Sequence, residues 1–465
     1  MPTRSVSLDS PTQLVSATVP SGSQQHSLNR TAFEVDSEAV FLNRYLPQDE
    51  VGTVYIGGIT TAPWTQTVLD LAKFDDTSRI ALDALALTIL GHAQSDQALL
   101  QESTRLYGKA LRETNTLLQD PIKAQSDAVL GCCKTLALYE KLRVDTGSGV
   151  STQGQDWHQH VEGTCKIVEL RGPAKHVSHH GKTLFEDVRV TAVISAIMKR
   201  RPNFFTSREW HTIPWQASTR SLHDELCDLM IALPDLLHSQ DKLSERFSDS
   251  TTNRDRFEIL TEGQNLINRC IRLGESLREW EQKALLACVS GPAIPLRNLT
   301  GPPTLLEICR DHGYFFFNIV MQYWASCVIL YGATWVIYRS VSVEARPDQP
   351  PSLPAWIRLR DIPEWTNPRI AASNIVSCVP HFFAPNAGYW GAQSAAFPMG
   401  AALHFYAATG GEEEVRRLKQ LFKEASLGCV TSGFLRSVSN TADTHRGDPA
   451  KDDEHRQMAV SWFGR

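Results

Sequence analysis

The chain has 465 residues, of which 42% are hydrophobic, so it can bury a substantial core. Charged residues make up 21%, and the formal net charge of −5 with a pI near 6.3 argues against a protein that grips nucleic acid by itself. The first fifty residues hold only three basic side chains, Arg4, Arg30 and Arg44, so no basic arm is expected.

In chain order, residues 1–36 read as a disordered tail rich in Ser, Thr, Gln and Pro. They contain no apolar run of the kind that opens a secretory signal. Val51 to Thr61 is the one strand-like piece. The run IALDALALTIL, within Arg79 to His92, is apolar on most sides and predicts a buried helix. Leu100, Tyr107, Leu111 and Leu118 then mark one face of a second helix. Asp120-Pro121 is expected to open a third, with Ile122, Val129, Cys133, Leu136 and Tyr139 on its inner stripe. DTGSGVSTQGQ is a flexible connection.

Asp156 is expected to cap the next helix, with Trp157, Val161, Cys165 and Val168 facing inward. Arg171-Gly172-Pro173 stops it, because Gly supplies a left-handed residue and Pro cannot continue. A helix from about Lys182 to Arg200 follows, then helices near 217–237 and 252–288. Breaks are expected at Gly291 to Pro303 and Arg346 to Pro363. Asn367-Pro368 opens a further helix. Gly391 to Thr409 is expected to kink at Pro398. Gly411 to Ala425 completes the helical part, with an acidic first turn that suits its dipole. We therefore place the chain in the all-α class, with a helical domain over 37–436 and a loosely ordered tail over 437–465.

From His312 to Tyr338 there is no Asp, Glu, Lys or Arg. That length meets the criterion for a membrane span, about 20 residues. Asn318, Gln322, Ser326, Gly313 and Gly332 favour a buried central helix instead.

Catalytic templates are absent. There is no phosphate loop, no dinucleotide fingerprint, no Gly-x-Ser-x-Gly elbow and no His-Glu-x-x-His helix. Asp75-Asp76 lacks the later acid of a magnesium cluster, and Arg79 opposes a cation, so the pair reads as a helix N-terminus. His158 and His160 point to different faces. His176, His179 and His180, in KHVSHHG, are read as a solvated polar loop rather than a metal site. Ten cysteines run from Cys132 to Cys429. They read as reduced, mostly buried thiols, including vicinal Cys132-Cys133. Tyr314 to Phe317 with Tyr323-Trp324 suit core packing better than a ligand pocket. No catalytic, cofactor-binding or metal-ligating residue is assigned, no cofactor is expected, and the chain is not read as an enzyme.

Several motifs then occur in order. Tyr107-x-x-Ala110-Leu111 is followed by Leu138-Tyr139-Glu140. Trp157-x-x-His160-x-x-Gly163 precedes Leu170-Arg171-Gly172-Pro173, Gly181, Leu184-Phe185 and Arg189. Arg201-Pro202, Trp210 and Pro214-Trp215 come next, and Phe397-Pro398-Met399 with Ala402 comes late. This set resembles the regulatory domain of fungal-specific transcription factors, over roughly residues 38 to 410. The resemblance implies a nuclear transcriptional regulator, with a homodimer or protein partner and a small-molecule effector as expected associates. It also implies control of nutrient use or a secondary-metabolite cluster. The family's binuclear zinc cluster needs six closely spaced cysteines, and here the first cysteine is Cys132. DNA binding is therefore expected only through a partner, and no membrane association is expected. A helical scaffold or co-regulator, or an all-α enzyme or carrier, are the rival readings.

Overall fold

A computed structural model describes residues 39, 41–48, 63–142, 153–249, 253–290, 304–344 and 362–424. Every regular element among them is helical. The Val51 to Thr61 strand, most of the DTGSGVSTQGQ connection, whose last three residues begin a helix, most of the two expected breaks and both tails lie outside the described residues.

Local capping sets many of the helix boundaries. α1 spans Pro63–Ala72 and α2 spans Asp76–Gln94. Asp75 caps α2 by accepting from the Ser78 amide at 2.7 Å, which is the N-terminal role expected of the Asp75-Asp76 pair. α3, Gln97–Leu118, follows α2 after a two-residue link, Ser95-Asp96, with Asp96 accepting from the Ala98 amide at 2.8 Å. The two helices form an antiparallel hairpin. The Ala/Leu run lets neighbours approach α2 on most sides, and Ala81, Ala84, Leu85 and Ala86 are fully buried. Ser103 seals the hairpin, with Oγ 2.9 Å from Ala84 O and 3.2 Å from Tyr139 Oη.

α4, Asp127–Leu142, packs on α2 and α1. It begins later than expected. Asp120 does accept amides, from Ile122 at 2.9 Å and Lys123 at 3.3 Å. Those bonds close a 3-10 turn over Lys123–Gln125, and Ile122 is 85% exposed rather than inside the stripe. α5, Gln153–Arg171, likewise begins before Asp156, which therefore does not cap it. The side chain of Trp157 lies outside the described residues. α6 spans His179–Lys199 and α7 spans Arg208–Thr212.

The helix expected over 217–237 divides into α8, Leu222–Met230, and α9, Leu233–Asp249. Pro234 explains the division, since a proline ring inside a continuous helix clashes with the carbonyl four residues earlier. α10, Asn253–Ser290, is the longest helix described. After the short α11, Leu305–Ile308, comes α12, Gly313–Glu344. α13, Pro368–Phe382, opens at Asn367, which accepts from the Arg369 amide at 3.0 Å. α14, Gly388–Thr409, holds Pro398 internally, and α15 spans Glu412–Glu424.

α12 is the axis of the C-terminal half, packed against α10, α13 and α14. Every residue from Phe316 to Thr334 is buried. Two of its hydroxyls turn back on the helix: Ser326 donates to Gln322 O at 2.8 Å and Thr334 to Leu330 O at 2.7 Å. Leu305–Ser342 is long and apolar enough to cross a membrane, yet 89% of its apolar window is covered by other helices. Tyr323 stacks on Trp280 of α10 with centroids 5.2 Å apart, so the aromatic run serves the core. One contiguous apolar core joins both halves.

A π-helical turn, Phe41–Tyr45, crosses between them and packs on α14 and α2. Phe41 and Tyr45 are buried and stacked at 5.1 Å, and Tyr45 donates to Gln393 Oε1 at 3.0 Å. The backbone of this turn reaches α14 at Gly388, where a Cβ would lie 2.6 Å from Tyr45 O. Gly388 also has φ +60°, a conformation that L side chains resist. Gly388→Ala is expected to lower unfolding free energy by about 2 kcal/mol or more. Urea denaturation reads this, and an unchanged midpoint would show that the turn does not constrain α14.

Candidate functional site

The densest group of family-like motifs runs from Leu170 to Trp215, and the structure folds it into one junction. The junction begins where α5 stops. Gly172 has φ +70°, and its amide reaches Val168 O and Glu169 O, both at 3.2 Å. Pro173–His176 then forms a 3-10 turn. This turn lies against the start of α6 so closely that a Cβ on Gly181 would sit 2.4 Å from Lys175 O. The Arg171 side chain, only 1% exposed, donates to Gln125 O at 2.8 Å and to the Asp127 carboxylate. One arginine thereby ties the end of α5 to the start of α4, a charge-assisted bond of the stronger kind.

His176 departs from the expectation of a solvated loop. It is fully buried, while His179 is exposed and His180 only partly covered. Its ring stacks on Phe185 at 4.9 Å and approaches Trp210 at 5.8 Å, and Nδ1 lies 3.0 Å from Gly181 O. Phe205 and Trp215 complete an aromatic cluster around Phe185. The histidine is a core residue with backbone partners. Among the described residues no group of three His, Cys, Asp or Glu side chains is placed to hold a metal ion.

The next layer is ionic. Arg189, buried on α6, donates through Nη2 to Asp228 of α8. Asp228 also faces His211 Nδ1 and Arg220 Nε, each at 3.2 Å. Trp215 lies under three cations, with Lys182 Nζ 4.8 Å, Arg189 Cζ 5.4 Å and Arg220 Cζ 5.6 Å from its ring centroid. At the end of α6, Arg200 makes a two-pronged bond to Asp241 of α9, both prongs at 2.7 Å. Arg171, Arg189 and Arg200 thus fasten α4, α8 and α9 to the α5–α6 unit. Arg171 and Arg189 stand in the motif, and an ion-pair role for them is readable from residue type. Their partners Asp127, Asp228 and Asp241 carry no sequence signal of their own.

Elsewhere the motif residues also pair. Tyr107 stacks on Tyr139 at 4.2 Å with planes 9° apart. Cys132 is buried with Sγ 3.1 Å from Thr114 Oγ1, and burial pushes its thiol up to about 11. Burial also pushes Cys133 up to about 12, so neither is an activated thiolate. Pro398, Met399 and Ala402 are buried within α14.

Burial sets opposite pH responses in this junction. His176 is held down to about 4, chiefly by burial, so its neutral form is the folded one. The unfolded chain takes up this proton near pH 6.5, so stability falls as pH drops from about 6.5 to 4. Glu186 is pushed up to about 7 by burial and by the nearby Asp224 charge, against Lys182. The unfolded chain releases that proton near 4.5, so this contribution is present at low pH and is lost as pH rises from about 4.5 to 7. Glu186→Gln is expected to be neutral near pH 4.5 and to stabilise by roughly 1–3 kcal/mol at pH 8. Denaturation curves at the two pH values check this, and equal effects at both would refute it.

Residues 41–299 match the fungal specific transcription factor domain, more than half of the chain. The chain belongs to that family. The matched span runs from the π-helical turn through α10 and contains the whole junction, whereas α11 to α15 lie beyond it. An uncharacterized protein of Emericella nidulans is similar as well, 29% identical over 133 residues. That alignment covers 29% of this chain and 27% of the relative, so the chain matches just over a quarter of the relative's length. No solved structure matches. The fungal transcription factor domain is a regulatory family rather than an enzyme class, and the junction's polar groups are engaged largely with one another.

Proposed function

We propose that the chain is a nuclear transcriptional regulator that works through its helical domain and reaches DNA through a protein partner or a second copy. Family membership over residues 41–299 is the observation that carries this reading. Chain chemistry supports the dependence on a partner. The net charge is −5, whereas a protein that neutralises several phosphates alone presents a basic surface. The genes controlled belong to a nutrient-use or secondary-metabolite cluster.

The test fuses the full chain to an unrelated DNA-binding module and measures a reporter carrying that module's site. A several-fold change in either direction is expected, together with nuclear accumulation of the tagged chain. A reporter that stays at the level of the module alone sinks the regulatory reading. Tight binding of the purified chain to promoter DNA without any partner sinks the indirect route. Transcript profiling of a deletion strain identifies the cluster, and scattered, unlinked changes count against it.

A further inference from the structure

Around Trp215 three cations crowd one ring, although Lys182 also donates to Ser218 Oγ and Arg220 to His211 O. Lys182, Arg189 and Arg220 all lie over the one indole ring. Such cations repel one another unless negative charge lies among them. Asp228 already meets three donors, from Arg189, His211 and Arg220. Asp224 is committed to the α8 capping box, accepting from the Ser221 amide at 2.8 Å and from Ser221 Oγ at 2.6 Å. Glu186 lies 3.4 Å from Lys182, and burial favours its uncharged form.

Two donors remain. Arg189 Nη1 and Trp215 Nε1 are both buried with no hydrogen-bond acceptor among the described residues. Arg189 is 1% exposed and Trp215 9%, so neither donor is solvated. A buried donor without an acceptor costs about 1–3 kcal/mol, and here two occur on one stacked pair. Arg220 is the most open of the three cations, with a third of its side chain exposed.

We propose that the Arg189–Trp215 pair binds a small oxyanion, a carboxylate or phosphate group, that accepts from Arg189 Nη1 and Trp215 Nε1 and is flanked by Lys182 and Arg220. Arginine suits either group, since its fork offers a second edge after Asp228 has taken the first. The indole N–H adds direction. Because the site bridges α6 and α8, an occupied site strengthens the same joint that Arg189 and Asp228 make. This inference deepens the regulatory reading by giving the class of effector. Its test is made in solution, so a silent reporter would leave the binding result standing, and failed binding would leave the transcriptional reading standing.

The full chain is unfolded thermally at pH 7 in sodium phosphate, sodium acetate and sodium chloride at equal ionic strength. One of the two oxyanions is expected to raise Tm above chloride by about 2 °C or more at saturation, and the more effective one names the ligand class. Phosphate also stabilises proteins in general by exclusion, so the comparison with variants decides. W215F keeps the ring and deletes the N–H donor, and R220Q leaves the buried pair intact. Each is expected to keep the wild-type far-UV circular dichroism in chloride and to lose most of the oxyanion increment. Failure of one variant to fold leaves the other to decide. The proposal is overturned if the wild type gains nothing over chloride, or if both folded variants gain as much as the wild type.

Discussion

Asp228→Ala is expected to lower unfolding free energy by about 3–5 kcal/mol, because it leaves a buried guanidinium with no carboxylate. The Arg189 side chain is 2% exposed, and two further donors, His211 Nδ1 and Arg220 Nε, lose the same acceptor. The loss is therefore mostly the desolvation of stranded donors rather than the net worth of one ion pair. A second variant distinguishes these terms. Replacing both partners, as in Arg189→Met with Asp228→Leu, removes the stranded charge together with its mate. The double variant is expected to recover a large part of the stability lost by Asp228→Ala. Urea midpoints of the three proteins supply the comparison. An Asp228→Ala effect below about 1 kcal/mol, in the range of exposed pairs, would mean that the junction does not hold α8 to α6.

Val328→Asp is expected to leave no folded monomer. Val328 is fully buried at the centre of α12, inside the continuous buried stretch from Phe316 to Thr334. An unpaired carboxylate there costs several kcal/mol even when it takes up a proton, against a total stability of about 5–15 kcal/mol for a folded domain. Val328→Ala makes only a cavity and is expected to cost about 1–3 kcal/mol. Size-exclusion profiles and circular dichroism separate the two outcomes. A well-folded, monomeric Val328→Asp protein would show that this face of α12 is not core. The same placement predicts that the wild-type chain leaves the cell lysate in the aqueous fraction without detergent.

What could be read from the sequence divides by range. Asp75, Asn367-Pro368 and Gly172-Pro173 marked helix ends correctly, since a cap acts on amides two or three residues away. The Ala/Leu run of α2 and the charge-free run of α12 identified buried helices by composition. Asp120-Pro121 misled for an instructive reason. An aspartate that accepts two following amides can close a 3-10 turn as well as a helix, and here α4 begins only at Asp127, which Arg171 holds from another helix. The division at Pro234 was legible, since a proline interrupts a helix, yet the helix expected near 217–237 ran across it. His176 was misjudged because its polar neighbours are local, while the rings that bury it, Phe185 and Trp210, arrive from later helices. Asp127, Asp228 and Asp241 lie 44, 39 and 41 residues from their arginines. No spacing rule selects them from the chain's other carboxylates.

The π-helical turn at Phe41–Tyr45 has a bearing on how the chain is made. Tyr45 bonds to Gln393, 348 residues later, so its burial is not complete until nearly the whole fold has been synthesised. At about 5–20 residues per second, this leaves the side of the turn that meets α14 uncovered for roughly 20–70 s on the ribosome. The α1–α6 bundle can close from contacts made early, and the turn can meet α2 then, whereas its contact with α14 must wait. Two stacked aromatics covered on one side only for that interval are a natural hold for a chaperone. They also make completion of the fold a post-translational event, one in which the first described segment seals the last helices.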